Sequence, residues 1–314
     1  MNTLYGLKNY AVETQQKLLE LAVLNAQQDL LIKQQKALKM PIEVLEHELK
    51  ERGALCDYFK NKAANVSKLK ILLDKTPAHL KHEIENPSDT DSECLIIGRA
   101  IHAILFESYA VFADQFGIFP EGHGATKEVK EAKAAILNAG KTPLSPKQYD
   151  LVLSLEMALK SNDTIADLLS EGEGEKELYG QIDGIDCKAK LDWYRNGIIV
   201  DLKTVQDGVA SASGFAKQVV NYHYDLQAYF YSQLARNCGL YVDHFVFIVV
   251  EKTAPFLTAT FIANDRVIEN GRRKAQHALK KWRECHDLNQ WQGYPLGIQE
   301  FDLPAWAEVN YVSK

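Results

Sequence analysis

The stretch IIVDLKT, Ile198 to Thr204, decides how this chain is read, because it sets an acid and an amine two residues apart in a run otherwise built from Ile, Val and Leu. A strand alternates its side chains between faces, so Ile198, Val200 and Leu202 point one way and Ile199, Asp201 and Lys203 the other. Just upstream, CKAKLDWY (Cys187 to Tyr194) alternates in the same way, and Asn196-Gly197 between the two runs is a strong hairpin signal. With those two as loop residues, Arg195 pairs with Ile198 and the count sets Asp192 opposite Asp201. Directly opposed residues have Cβ atoms roughly 4.5 to 5.5 Å apart. Two carboxylates that close repel unless a cation lies between them, and a divalent metal is the usual one.

The count extends one strand further. With Asp183-Gly184 as a second turn, Ile182 pairs with Ile185 and Glu175 falls opposite Asp192. The expectation is a three-stranded meander carrying Glu175, Asp192, Asp201 and Lys203 on one face. Acid opposite acid is what a purely structural sheet avoids.

This arrangement resembles the core of the PD-(D/E)xK nucleases, here written Asp192 followed by Asp201-Leu202-Lys203. Two further segments sharpen the likeness. In GRAIHAILFE, Gly98 and His102 lie one helical turn apart and match the Gly-x-x-x-His motif of the RecB-like branch. In FAKQVVNYHYDLQAYFYSQLA, read as one helix, His223, Gln227 and Tyr231 recur every four residues on one face, and the last two match that branch's Gln-x-x-x-Tyr motif. Within the branch the chain looks most like the exonuclease domain of RecE-type proteins, phage recombination nucleases that degrade duplex DNA from the 5′ end. The resemblance runs from about Val66 to Trp306. It takes in VSKLKILLDKTPAHL, where Ser67 starts a helix that stops before Pro77, then ATKEVKEAKAA, GEKELY and a late LPAWA.

The resemblance implies a restriction-endonuclease-like α/β core, a central mixed sheet flanked by helices. It implies metal ligands His102, Glu175, Asp192 and Asp201, and catalytic roles for Asp192, Asp201, Lys203, Gln227 and Tyr231. Ser67, Lys68, Lys70 and Tyr231 become candidates for DNA contact. Glu177 follows Glu175 at the same strand parity, where the family usually has a small polar residue, so either glutamate could serve the site. The implied cofactor is Mg²⁺, with Mn²⁺ able to substitute, since carboxylates are hard ligands and an imidazole suits Mn²⁺ better. The implied activity is 5′ to 3′ exonuclease action at double-stranded DNA ends, leaving 3′ tails for recombination by strand annealing. The implied partners are a homo-oligomeric ring of the same chain and a single-strand annealing protein. The same motifs would also suit an endonuclease, or a DNA-binding or assembly protein that keeps only the fold.

Composition is consistent with such an enzyme. A chain of 314 residues, 46% hydrophobic, can bury one large core. No apolar run approaches the ~20 residues of a membrane span and Met1 to Tyr10 lacks a signal-peptide core, so a cytoplasmic protein is expected. Cys56, Cys94, Cys187, Cys238 and Cys285 are scattered, without zinc or redox spacing and without the late cluster of the iron–sulfur relatives. No Walker-type loop is present, so no nucleotide is expected. The formal net charge of -6 requires that any DNA-binding surface be a segregated basic patch. Candidates are Lys60, Lys62, Lys68, Lys70 and Lys75; Lys127, Lys130 and Lys133; and Arg272, Arg273, Lys274, Lys280, Lys281 and Arg283.

The organisation expected is a helical extension over 1–60 and a nuclease domain over 61–314. Leu4 to Ala37 reads as an amphipathic helix whose heptad leucines do not persist, and Pro41 opens a second helix ending near Phe59. Both could serve oligomerisation, a partner or packing on the nuclease domain. Loops are expected at 86–93, 121–125 and 171–174. After the Gln227 helix come strands HFVFIVVEK and FLTATFIA, then a helix capped at Asn264 or Asp265 and running through His286.

Overall fold

The computed structural model describes residues 61–87, 93–122 and 126–304. The segments expected as two N-terminal helices, the end of the LPAWA segment and parts of the loops expected at 86–93 and 121–125 lie outside the described residues.

A five-stranded mixed sheet organises the chain, in the order β3-β4-β5-β6-β7: β3 (Glu173–Ile182), β4 (Ile185–Arg195), β5 (Ile198–Val205), β6 (His244–Glu251) and β7 (Thr258–Ile262). Only β5 and β6 run parallel, and they sit centrally. This is why β6 reads FVFIVV with no alternation: both its faces are covered. Phe245, Phe247 and Val249 join one apolar cluster, while Val246, Ile248 and Val250 join the other.

The first face is covered by α1 (Val66–Asp74), α9 (Tyr224–Asn237) and α10 (Asp265–Asp287), through Leu69, Leu72, Leu226, Phe230, Leu234 and Leu279. The second is covered by α3 (Glu93–His102) and α6 (Pro146–Lys160), through Ile97, Ile101, Val152 and Leu155. The remaining elements are α2 (Pro77–Glu85), a π-helical turn (Ala103–Glu107), α4 (Tyr109–Gln115), α5 (Lys127–Asn138), α7 (Asp163–Leu168), α8 (Ala212–Asn221), and a small parallel pair of strands, β1 (Phe116–Ile118) and β2 (Thr142–Leu144).

Both hairpins turn where the sequence places them. Ile182 pairs with Ile185 and Arg195 with Ile198. Asp183, Gly184, Asn196 and Gly197 all have positive φ, as two-residue turns matched to the strand twist require.

Several expectations need correction. The helix following β5 is two helices, because His223 adopts a left-handed backbone (φ 51°) and separates α8 from α9. The α1 helix begins at Val66, with Asn65 as its cap accepting from the Lys68 N–H; Ser67 lies inside the first turn. The 171–174 loop is shorter than expected, as β3 starts at Glu173. The α10 helix, by contrast, is capped by the Asn264 side chain and runs through His286 as expected, ending at Asp287.

Candidate active site and metal centre

The β4–β5 ladder stops at Trp193–Val200, one step short of the two aspartates. Beyond it the strands part: Leu191 packs in the first cluster while Leu202, its would-be partner, packs in the second. Asp192 spans the gap, its Oδ2 accepting the Leu202 backbone N–H at 2.8 Å. The flat acidic face expected from strict alternation is thus a splayed fork, with Asp192 on one tine and Asp201 on the other.

Glu175 is placed by a second irregularity. Its φ of 50° is left-handed, a sparsely populated state for a residue with a side chain, and it interrupts the β3–β4 pairing between Gly174–Trp193 and Lys176–Leu191. This turns its carboxylate toward His102. Glu177 stays in the ladder opposite Lys190 and accepts from the Tyr179 hydroxyl at 2.8 Å, so Glu175 is the glutamate that the structure brings to the group.

His102 closes α3 as the helix widens into the π-turn. Its Nδ1 lies 3.6 Å from Asp192 Oδ1 and 3.7 Å from Glu175 Oε1. One donor atom from each of the three lies within 4.8 Å of the other two, close enough for a shared ion. Two carboxylate oxygens and an imidazole nitrogen suit Mg²⁺ through the oxygens and Mn²⁺ through all three. The donor set therefore fits a divalent metal. Burial opposes charge on His102, but Asp192 and Glu175 outweigh it and raise the imidazole's pKa to about 9. Burial raises the Asp192 carboxyl. The imidazolium stands among the carboxylates in the role a metal cation would take over.

Asp201 and Lys203 form the adjoining half of the site. Asp201 is 1% exposed, with Lys203 Nζ at 2.5 Å from its Oδ2 and Gln227 Nε2 donating to its Oδ1 at 2.5 Å. Lys203 also donates to Gln227 Oε1 at 3.1 Å. Gln227 thus joins acid and amine through both ends of its amide. Burial alone would lower the Lys203 pKa, but Asp201 and Asp192 hold it above the ordinary lysine value. The two carboxylates thus favour the ammonium form of Lys203.

The remaining candidates separate. Tyr231 is half-buried against the first core cluster and does not line the cleft that opens beside His102. Lys70 points toward the site, 5.1 Å over the Tyr224 ring, with burial and Lys203 lowering its pKa to about 8. Lys68, two residues earlier and so roughly 200° around the helix, turns away: its ammonium donates to the Ala63 carbonyl at 3.2 Å and lies 5.6 Å over Trp282. Ser67 is exposed. Among the basic candidates on α10, Arg272 and Arg273 pair with Glu269, Lys274 with Asp225, Lys280 with Glu284, and Lys281 and Arg283 donate to backbone carbonyls.

The structure adds residues that the sequence reading missed. Lys190 holds Glu175 Oε2 at 2.5 Å; it shares strand parity with Asp192, a signal that was available. Glu107 lines the same cleft, and burial followed by Glu175 raises its pKa. It lies five residues from His102, a spacing that joins them only through the π-turn. Lys203 lies 4.6 Å over the Tyr224 ring. The cleft occupies about 1180 Å³ and runs from Arg99, His102 and Glu175 to Lys203, Tyr222 and Tyr224.

An acid-bearing hairpin, a parallel neighbour strand, a following helix that supplies Gln227 and a helix-borne histidine define the class: a PD-(D/E)xK-type nuclease fold. The chain belongs to the family described as the PDDEXK-like domain of unknown function (DUF3799), whose pattern matches residues 65–298. Among solved structures, it is similar to a protein from Eubacterium rectale named "Putative exonuclease", at 16% identity and a TM-score of 0.52 over 74% of this chain and 90% of that one. A more distant likeness is to a phage related exonuclease from Haemophilus somnus 129PT, at 14% identity and a TM-score of 0.31, covering 66% of this chain and all of that one. No curated protein matches the chain in sequence. Among the described residues, no helix is long and apolar enough to cross a membrane.

Proposed function

We propose that the chain is a divalent-metal-dependent DNA nuclease that works from double-stranded ends as a 5′ to 3′ exonuclease. It would leave 3′ single-stranded tails for phage-type recombination by strand annealing. The observation that carries this reading is the convergence of His102, Glu175 and Asp192 beside the Asp201–Lys203–Gln227 trio. His102, Glu175, Asp192 and Asp201 would hold the ion, Mg²⁺ in the first instance with Mn²⁺ substituting. Bound there, a divalent ion would polarise the phosphoryl oxygen and lower the pKa of a coordinated water.

The chain's own groups then have separable tasks. Lys203, fixed by Asp201 and Gln227, presents an N–H and a positive charge to the phosphate as negative charge builds on it. Gln227 keeps both partners in register. Lys190 anchors Glu175, so that the glutamate keeps its orientation when His102 loses its proton. No side chain needs to form a covalent intermediate.

A cytoplasmic ring of identical subunits, cooperating with a single-strand annealing protein, belongs to the same proposal. A chain of net charge -6 must gather its cations around DNA, and an enclosed channel would do this. Residues 1–60 are proposed as a helical extension to a nuclease domain over 61–314. The deciding assay compares linear with covalently closed circular duplex, each with Mg²⁺ and with EDTA. Hydrolysis of the linear form alone, with Mg²⁺ alone and with the 5′ label released first, is expected. Cutting of closed circles would make it an endonuclease, and no hydrolysis under any condition would leave a binding or assembly protein.

A further inference from the structure

Phe215, Tyr224 and Tyr222 form a short aromatic ladder that ends in the cleft. Phe215 and Tyr224 stack with ring centres 6.1 Å apart, and Tyr224 and Tyr222 stack at 5.7 Å and 25°. Phe215 is buried in the core, whereas Tyr222 is 55% exposed. Tyr222 and Tyr224 both line the cleft with Lys203, His102 and Glu175. The left-handed backbone at His223 is what interrupts the helix and leaves the two rings side by side. Lys203 and Lys70 each approach the Tyr224 ring, at 4.6 and 5.1 Å, so the ladder stands next to the charges available to a phosphate.

We propose that Tyr222 is a stacking shelf for an unpaired nucleobase, extending the ladder by one ring while the adjoining phosphate is held at Lys203. This rests on the nuclease reading and refines its substrate. A base inside a duplex already has both faces covered by its neighbours and a terminal pair has only its outer face free, so the base we place on Tyr222, with its own phosphate reaching into the cleft, is one that has left the helix. The strand in the cleft would then be single-stranded over roughly one or two nucleotides at the point of cleavage, peeled from its complement. Base–aromatic stacking tolerates any sequence because every base has a π-face, which suits an enzyme that must read through DNA without pausing.

The test uses the full chain in EDTA, where no hydrolysis occurs, with a short single-stranded DNA oligonucleotide carrying 2-aminopurine at one terminal position at a time. Wild type is expected to quench 2-aminopurine at one position. Tyr222→Ala should lose that quench and bind roughly tenfold more weakly, while Tyr222→Phe should keep both within about twofold. Removing the base at the quenched position should weaken wild type by a similar factor and leave Tyr222→Ala unaffected. Equal binding of intact and abasic strands by wild type and Tyr222→Ala would overturn the proposal, as would loss in Tyr222→Phe equal to that in Tyr222→Ala. Thermal unfolding of each variant separates a binding defect from misfolding. Hydrolysis of duplex with Mg²⁺ is measured separately. A wild type that quenches but never cleaves would refute the nuclease reading and leave the shelf, and one that cleaves with no effect at Tyr222 would do the reverse.

Discussion

Asp201 is the residue on which the site turns, since its two oxygens are taken by Lys203 and Gln227 while it lies next to the fork that holds Asp192. Asp201→Asn or Asp192→Asn should lower cleavage by about 100-fold or more with little change in unfolding temperature; near-normal exonuclease rates in either would contradict the proposed site. Lys203→Ala should lose far more turnover than DNA affinity, because the charge proposed to meet the phosphate counts most in the transition state. His102 offers a second measurement. Its imidazole is protonated below about 9, so a metal must displace that proton to use the nitrogen. Affinity for Mn²⁺ should therefore rise with pH, by about tenfold per unit for one displaced proton up to about pH 9, and more steeply below about 7, where Asp192 must lose a proton as well. Calorimetric titrations in buffers of different ionisation heat would count the protons released, and a pH-independent affinity would exclude His102 as a ligand. Cys187 gives a control remote from this chemistry: burial pushes its thiol up to about 12, so it should resist alkylation in the native state.

At the scale of elements, two glycines set how the site is held. A Cβ at Gly174 would lie 2.0 Å from the Phe106 carbonyl oxygen, so β3 can cross the π-turn only because residue 174 has no side chain. The neighbour on that strand is Glu175 and the π-turn begins directly after His102, so this contact sets two of the four residues proposed to hold the ion against each other. Gly174→Ala should cost about 1 to 3 kcal/mol of stability and weaken Mn²⁺ binding as well, whereas a purely structural position would change stability alone. Gly271 performs the matching task behind α9: a Cβ there would fall 1.9 Å from the Asp225 carbonyl oxygen. Asp225 is buried and pairs with Lys274 at 2.8 Å, which locks α9 to α10 two residues before Gln227. The sequence showed both hairpin turns, the β4–β5 register from Arg195–Ile198 out to Trp193–Val200 and the strand–helix order, because each depends on local pattern. It did not show the break at His223 or the π-turn. Both are backbone departures held by contacts distant in the chain, such as the His223–Asp74 pair at 2.8 Å.

For the whole molecule, the question is where DNA meets an acidic chain. The six basic candidates on α10 are matched to carboxylates of α9 and α10 or to backbone carbonyls, while Lys70, Lys190 and Lys203 stand at or beside the cleft. Lys70→Ala should therefore lower the salt dependence of DNA binding by about one unit of log–log slope, and Lys68→Ala should leave it unchanged because its ammonium is engaged on the far side of α1. Equal effects would mean that the duplex wraps around α1 instead of entering beside Tyr224. Sedimentation at micromolar concentration, with long duplex challenged by excess competitor after the first cut, tests the ring: a stable monomer releasing short products would remove it.

The sequence by itself determined the α/β class and the paired turns, and singled out Asp192, Asp201 and Lys203 as candidates, because strand alternation and Asn-Gly or Asp-Gly turns are fixed by neighbours in the chain. Only the tertiary structure decided which glutamate joins His102, which lysine faces the site, and that the acids meet across a fork in the sheet instead of along one face. Those outcomes depend on a ladder that stops, a left-handed residue at 175 and a helix that widens at 103. Each is a local cost that only packing against remote segments can sustain, and no periodicity in the chain records it.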